Sequence, residues 1–442
     1  MRFYFRRLFL LLAVALFVLW IVYISFADPR MQTVRCAVQA WLVKYNMYPC
    51  AFQKHPMIFE HGDLHYYVLW ETSCVSSTPF LEWWADNTSS TASLHHFVKP
   101  SYRKIDDYHH RYTAFVGSVY NSPHIHYKIN DYRFLSKQYT IRRRNMSERS
   151  RVLVMADNQN ESTRFRRLLA LAQNYYRDSD GPDFILHVGD AVQSAENLGD
   201  WQTQLFSPME DVGAYQHHVP LVFIPGNHDH DKERIQKNNN YYMDMYHGLN
   251  KTNELEKPAV TNGSYHQFHH SMSIGSARVI VLDAECPSEE QSAFLLHELQ
   301  SDAFQKAHFR IIAIHIPPYI EYWDPNAWND EGEKYWGEHI RLEYDPLFRK
   351  YRVDLVVSGH QHNYQRATVH RSTDPGSADK ITYAIVGGAG GDLDLKRVED
   401  WKMYNVTYFG HHFASLDIED RRLSWTVHSI TGSIVDKFLI ET

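Results

Sequence analysis

Five apolar runs in this chain end in residues that carry chemistry. Residues 152–156 run into Asp157, and residues 184–188 run into Gly189-Asp190. Residues 221–224 lead through Pro225 into Gly226-Asn227-His228-Asp229. Residues 311–314 run into His315, and residues 353–357 lead to Gly359-His360-Gln361-His362. Short runs rich in β-branched residues predict strands buried on both faces. In open α/β sheets ligands bind beyond the carboxyl ends of the strands. The five predicted strands therefore deliver Asp, Asp, Asn, His and a His pair to one sheet edge, an arrangement suited to two metal ions.

The rest of the chain follows other rhythms. Between residues 56 and 146, short aromatic or β-branched runs (65–70, 80–84, 112–116, 125–129, 139–141) alternate with polar and turn-forming stretches. That spacing predicts an all-β sandwich. Arg142-Arg143-Arg144-Asn145 closes it as a polar linker. From residue 150 to 442, strands alternate with helical segments. Phe165, Leu168, Leu169 and Leu171 recur at helical spacing, as do Phe294, Leu295, Leu296 and Leu299 behind Ser288 and Glu290. Further strands are expected near residues 383–386, 413–416, 423–428 and 435–439. Residues 28–55 carry little pattern and read as a stalk or linker.

Residues 8–26 are uncharged and follow Arg2, Arg6 and Arg7. As a helix they would extend about 28 Å, close to the ~30 Å hydrocarbon core of a bilayer. That length favours a retained anchor, whereas Ser25-Phe26-Ala27 has the small residues of a cleavage site. Residues 1–27 are thus a signal-anchor or a signal peptide. On either reading the basic residues stay inside and the remainder enters the secretory lumen or leaves the cell. Six Asn-x-Ser/Thr sequons, at Asn87, Asn145, Asn160, Asn250, Asn262 and Asn405, agree with that route. Of the four cysteines, Cys36 and Cys50 are near enough in sequence to close a small loop. Spacing fixes no pairing for them or for Cys74 and Cys286. The 442 residues suffice for two or three domains, and a net charge of -7 without a basic run argues against nucleic acid as a partner.

Each motif alone has an ordinary explanation. An Asp after a strand is commonly a helix N-cap, and Asn227 fits a turn. Together, in the order Asp, Gly-Asp, Gly-Asn-His-Asp, His, Gly-His-x-His, they resemble the calcineurin-like metallophosphoesterase superfamily. The nearer likeness is to the purple acid phosphatases. Tyr351-Arg352-Val353-Asp354-Leu355 leading into Gly359-His360-Gln361-His362-Asn363-Tyr364-Gln365-Arg366 carries it. So do His315-Ile316-Pro317-Pro318-Tyr319 and Val386-Gly387-Gly388-Ala389-Gly390-Gly391. The resemblance implies an α/β metallophosphoesterase domain over residues 150–442, with two mixed β-sheets packed together and flanked by helices. It also implies a fibronectin-type-III-like β-sandwich over residues 56–146, after the N-terminal membrane segment.

The same resemblance assigns roles. Asp190 would bridge two divalent ions (Fe, Zn or Mn). Asp157 and His362 would hold the first ion, and Asn227, His315 and His360 the second. His228, backed by Asp229, would contact the phosphate and protonate the leaving group. The residue types suit this chemistry independently. A carboxylate supplies the shared anion that two adjacent dications need, while neutral imidazole and amide donors leave room for an anionic phosphate. Paired metals clamp the attacking and leaving oxygens. Lowering the pKa of bound water from 15.7 to about 7 is worth roughly 12 kcal/mol in available hydroxide. A lone general base typically adds about 10²–10⁴-fold. The metals should therefore dominate.

Two positions depart from the purple pattern. Gln193 stands where those enzymes have an iron-binding Tyr, and Gln159 stands two residues after the first Asp, where they have Gly. Gln159 is the candidate for the missing first-metal ligand. The expected function is hydrolysis of phosphate monoesters by hydroxide generated at the metals, on a phosphorylated small molecule or other phosphoester. The same ligands suit a phosphodiesterase or pyrophosphatase, and an inactive receptor with this fold is a further alternative. Membrane contact would come through the N-terminal segment, and oligomeric state is not specified by the sequence.

Overall fold

Strict alternation governs the strands that lead into the predicted ligands. In β10 (Arg149–Met155), Val152 and Val154 point to one side and Leu153 and Met155 to the other, all at 1% exposure or less. A strand apolar on both faces must be covered twice, and the fold supplies both covers. The computed structural model describes residues 52–442 except 61–65, 77, 87–93, 108, 118–123, 132–133, 143–148, 178–180, 214, 231–268, 286–287, 323–336 and 372–378. Segment 1–27, Cys36, Cys50, Cys286 and four of the sequons lie outside the described residues. Cys74 is disulfide-bonded.

The first nine strands are β1 (Phe52–Glu60), β2 (Tyr66–Thr72), β3 (Phe80–Ala85), β4 (His95–Val98), β5 (Ser101–Lys104), β6 (His110–Val116), β7 (His124–Asp131), β8 (Phe134–Leu135) and β9 (Tyr139–Arg142). After β10 come α1 (Ser162–Tyr175), β11 (Phe184–His187), β12 (Leu221–Phe223), β13 (His270–Ile274), β14 (Ala277–Leu282) and α2 (Glu289–Gln300). The chain continues through β15 (Phe309–Ile314), β16 (Leu355–Ser358), β17 (Tyr364–His370) and β18 (Lys380–Val386). It ends with β19 (Val406–Tyr408), β20 (His412–Glu419), β21 (Arg422–Ser429) and β22 (Ile434–Glu441).

Two mixed sheets form the α/β domain. One contains β22-β21-β20-β10-β11-β12, and the other runs β13-β14-β15-β16-β18-β17-β19. They meet face to face through Val152, Val154, Leu186 and Val222 on one side and Val281, Ile311, Ala313 and Val357 on the other. The outer face of the first sheet packs on Phe165, Leu168, Leu169 and Ala172 of α1. The outer face of the second packs on Leu295 and Leu299 of α2, with Tyr344 and Phe348. The single sheet edge expected from the sequence is therefore two stacked edges. β10, β11 and β12 supply one and β15 and β16 the other. Apolar periodicity reports that a strand is covered twice and does not say whether the cover is a helix or a second sheet.

The first sheet does not stop at β12. β1 joins it in parallel, with Phe59 opposite Leu221, and β2, β6 and β5 follow. A five-stranded sheet of β4-β3-β7-β8, with β9 on β7, packs against this extension through Val68, Trp70, Tyr112, Trp83, Tyr127 and Ile141. Residues 52–55, expected in the stalk, belong to β1. Lys54 interrupts the apolar pattern there, but its ammonium is buried against Glu71 at 2.8 Å, with Arg111 on the same carboxylate at 2.9 Å.

Candidate metal centre

The chain leaves its parallel strands through tight turns in which three polar residues take the left-handed conformation: Asp157 (φ 61°), Asp190 (φ 53°) and His360 (φ 68°). Such residues persist only where their surroundings over-determine them, at a cost of about 1–3 kcal/mol each. Here carboxylates do so. The His360 N–H donates to Asp157 Oδ1 at 2.9 Å and Oδ2 at 3.0 Å. Asp229 accepts the N–H groups of Asp190, Gly226 and Ala191, each at 2.9 Å. Two glycines let the turns close. A Cβ on Gly226 would stand 2.2 Å from Asp190 Oδ1, and one on Gly189, at φ 92°, 2.3 Å from His315 Nδ1.

These turns bring the predicted ligands together as two sets that share one carboxylate. Asp190, His315 and His360 form one set and Asp157, Asp190 and His362 the other, with ligand atoms within 4.8 Å of one another in each. Asn227 completes the first set, its Oδ1 lying 2.9 Å from His360 Nδ1 and 3.2 Å from His315 Nε2. His315 Nδ1 donates to the Val188 carbonyl at 2.6 Å and His362 Nδ1 to that of Asp392 at 2.6 Å. Both rings thereby turn Nε2 into the site. These Nε2 atoms lie 3.2 Å from Asp190 Oδ2 and 3.5 Å from Asp157 Oδ1.

The electrostatics favour cations. Burial penalises the His315 imidazolium, yet the charge and hydrogen bond of Asp190, then Asp157, push it up to about 10. His362 behaves alike. Burial opposes its charge, but the hydrogen bond and charge of Asp157 raise it to about 9. Burial also opposes ionisation of Asp190, and His315 and His228 hold it well below the carboxylate range. A buried field that retains protons on imidazole is one that divalent ions would neutralise more fully.

His228 sits at the rim, its Nδ1 donating to the Gln193 carbonyl at 2.8 Å and its N–H to Asp190 Oδ1 at 2.9 Å. The partner expected for it was Asp229. The contacts of that carboxylate go to backbone N–H groups instead, because it closes the turn of its own Gly226–Asp229 loop around Asp190. Asp229 thus braces the turn that carries Asp190. Gln193 turns its side chain away and accepts from Asn160 Nδ2 at 2.8 Å. Gln159 does the opposite. At 1% exposure, its Nε2 lies 3.0 Å from His362 Nε2 and 3.4 Å from Asp190 Oδ2. Its Oε1 is buried and accepts no hydrogen bond among the described residues.

Several supporting residues escaped the sequence reading. Gln204, in a π-helical turn at Trp201–Phe206, accepts the N–H groups of Asn160 and Gln193 through Oε1. Asn158 Nδ2 bonds the carbonyls of Ala191 and Gln204. The His362 N–H is held by Asp394 at 2.7 Å. Gln204 and Asp394 lie outside the motifs and Asn158 sits between Asp157 and Gln159, and only burial marks them. The donor set fits two divalent ions. Carboxylate, amide and imidazole donors surround one shared oxygen pair, and the buried Gln159 amide stands ready to offer an oxygen by turning over.

The chain is similar in sequence and fold to several known proteins. Residues 150–364 match the calcineurin-like phosphoesterase family. A protein named probable inactive purple acid phosphatase 1 of Arabidopsis thaliana is 27% identical over 53% of this chain and 39% of its own length. This chain therefore spans about two fifths of that relative. A nucleotide pyrophosphatase/phosphodiesterase of Hordeum vulgare is 23% identical over 60% of this chain and 73% of its own. A purple acid phosphatase structure from yellow lupin (Lupinus luteus) seeds superposes with a TM-score of 0.69, covering 87% of this chain and 74% of that one at 18% identity. That likeness is one of fold.

Proposed function

Because the chain belongs to the calcineurin-like metallophosphoesterase superfamily, alongside the purple acid phosphatases, we propose that it is a two-metal hydrolase of phosphate monoesters. The observation that carries this reading is the pair of ligand sets sharing Asp190. Asp157, Asp190, His362 and the Gln159 amide would hold the first ion, and Asp190, Asn227, His315 and His360 the second. Fe, Zn and Mn all suit such donors. When bound, the two ions supply Lewis-acid charge and an activated water for in-line displacement at phosphorus.

The protein's own groups do the rest. Asp190 Oδ1 accepts the His228 N–H, which ties the proton-transfer group to the bridging ligand. The Gln193 carbonyl fixes the His228 proton on Nδ1, so Nε2 is the atom that gives or takes the proton at the leaving oxygen. Asp229 keeps Asp190 in its left-handed turn and takes no part in proton transfer.

The barley relative's name supports a second reading, a phosphodiesterase or pyrophosphatase built on the same ligands. Release of p-nitrophenol from p-nitrophenyl phosphate and from its bis ester separates the two. Faster turnover of the monoester supports the proposal, and preference for the diester supports the alternative. The N-terminal segment places this activity, on our reading, in the secretory lumen or outside the cell, membrane-held or released by cleavage. Among the described residues no helix is long and apolar enough to cross a membrane. A lower apparent mass after endoglycosidase treatment would support the lumenal route.

A further inference from the structure

His360 and His362 serve different metal subsites, and the residue between them points away from both. Gln361 is fully buried. Its Oε1 accepts the N–H groups of Glu321 at 2.6 Å and Tyr322 at 2.7 Å, and its Nε2 donates to Gln365 Oε1 at 2.8 Å. Glu321, at 1% exposure, lies six residues after the ligand His315. Its carboxylate accepts from Gln365 Nε2 at 3.1 Å, the Trp401 N–H at 3.1 Å and Arg397 Nη2 at 3.2 Å. The Glu321 carbonyl accepts the N–H of Val398 at 2.8 Å. Three segments therefore meet in one buried polar cluster: the loop after His315, the turn carrying His360 and His362, and the stretch 397–401.

We propose that Gln361 and Glu321 form a latch that sets the position of His315 against His360, and so acts as the positioning element of the second metal subsite. This rests on the two-metal reading above. His315 and His360 belong to separate strands, β15 and β16, whose last register pair is Ala313 with Val357. Beyond that pair their direct backbone tie is the Gly359 N–H to the His315 carbonyl at 2.9 Å. The latch adds two bonds from the Gln361 amide to the backbone downstream of His315. His362 is held separately by the Asp392 carbonyl and the Asp394 carboxylate. Loss of the latch should therefore loosen the second subsite and spare the first. An apolar residue at 361 would leave the Glu321 and Tyr322 N–H groups without this acceptor, which forces the loop to move.

The test is a titration of the metal-free full chain with Mn(II) and with Zn(II), followed by calorimetry. Gln361→Met, close in length and without the amide, is compared with wild type, His360→Ala and His362→Ala. Outer-shell partners typically contribute 10–100-fold in metal affinity. Gln361→Met should lower by that factor the affinity that His360→Ala abolishes, and change the one that His362→Ala abolishes by less than threefold. In Gln361→Met/His360→Ala no further loss should appear. Should Gln361→Met not fold, Glu321→Gln tests the same element. It keeps shape and one acceptor, and it should weaken the same subsite by a smaller factor. Equal losses at both subsites, or none, overturn the latch. A wild-type chain that binds neither metal overturns the metal-centre reading itself, and the latch with it.

Discussion

Replacing Asp229 with Asn separates a brace from a catalytic partner. The wild-type carboxylate accepts three backbone N–H groups, two on Oδ2 and one on Oδ1. Asn has one acceptor oxygen. Its best orientation keeps the Asp190 and Gly226 bonds and sets an NH₂ against the Ala191 N–H. A buried donor left without an acceptor costs about 1–3 kcal/mol, and the remaining bonds lose the strength a charged acceptor gives them. The strain lands on Asp190, already left-handed and shared by both ligand sets. Asp229→Asn should thus unfold in denaturant at lower concentration, by roughly 2 kcal/mol, and lose about 10–100-fold in metal affinity. Once saturated with metal it should keep the pH–rate profile of wild type, because His228 is oriented by the Gln193 carbonyl. Stability by urea titration, metal affinity by calorimetry and the pH profile at saturating metal form the assay. Unchanged stability and affinity with a pH profile altered like that of His228→Ala would show Asp229 acting through His228, and would refute the brace.

Other predictions follow from the same geometry. His228→Ala should retain both metals and lose about 10²–10⁴ in phosphate-release rate, the range of general acid catalysis; metal loss would make it a ligand. Gln159→Ala should weaken the first metal more than the second by calorimetry, and the wild-type protein should show no visible charge-transfer band, since Gln193 offers no phenolate. A purple protein would count against both points. Burial opposes ionisation of Glu71, but Lys54 and Arg111 override it and lower it to about 2. A folded value below the unfolded one adds stability above about pH 4.5 that disappears as pH falls towards 2, on the order of 3 kcal/mol. Glu71→Ala should flatten that acid limb and destabilise the neutral protein by about 3–5 kcal/mol. Urea midpoints from pH 2 to 7 measure both, and parallel curves for the two proteins would contradict the assignment.

The candidate ligands were legible because each ends an apolar run. Asp157, Asp190, Asn227, His315, His360 and His362 stand one to four residues beyond a strand, where the pattern itself breaks. Pairing was not legible. Nothing in residues 52–60 announces that β1 joins β12, since Lys54 and His55 interrupt the alternation and the one parallel register pair, Phe59 with Leu221, spans a long stretch of chain. β4 and β5 were missed for a related reason. His95, Phe97, Ser101 and Tyr102 are exposed edge residues without an apolar stripe. Proximity in sequence to His228 suggested a pair for Asp229, whereas the loop folds the carboxylate back onto the N–H groups of Gly226, Asp190 and Ala191. Gln361 carried no signal at all, being a polar residue between two more conspicuous ones.

The shared role of Asp190 matters most, because both ligand sets depend on its one carboxylate. Elemental analysis of the purified chain beside Asp190→Ala, with phosphate release measured on the same samples, tests it most directly. Two divalent ions per wild-type chain are expected, with both ions and essentially all hydrolysis lost in the variant. An Asp190→Ala protein that keeps its metals and turns over phosphate monoesters would refute that shared role.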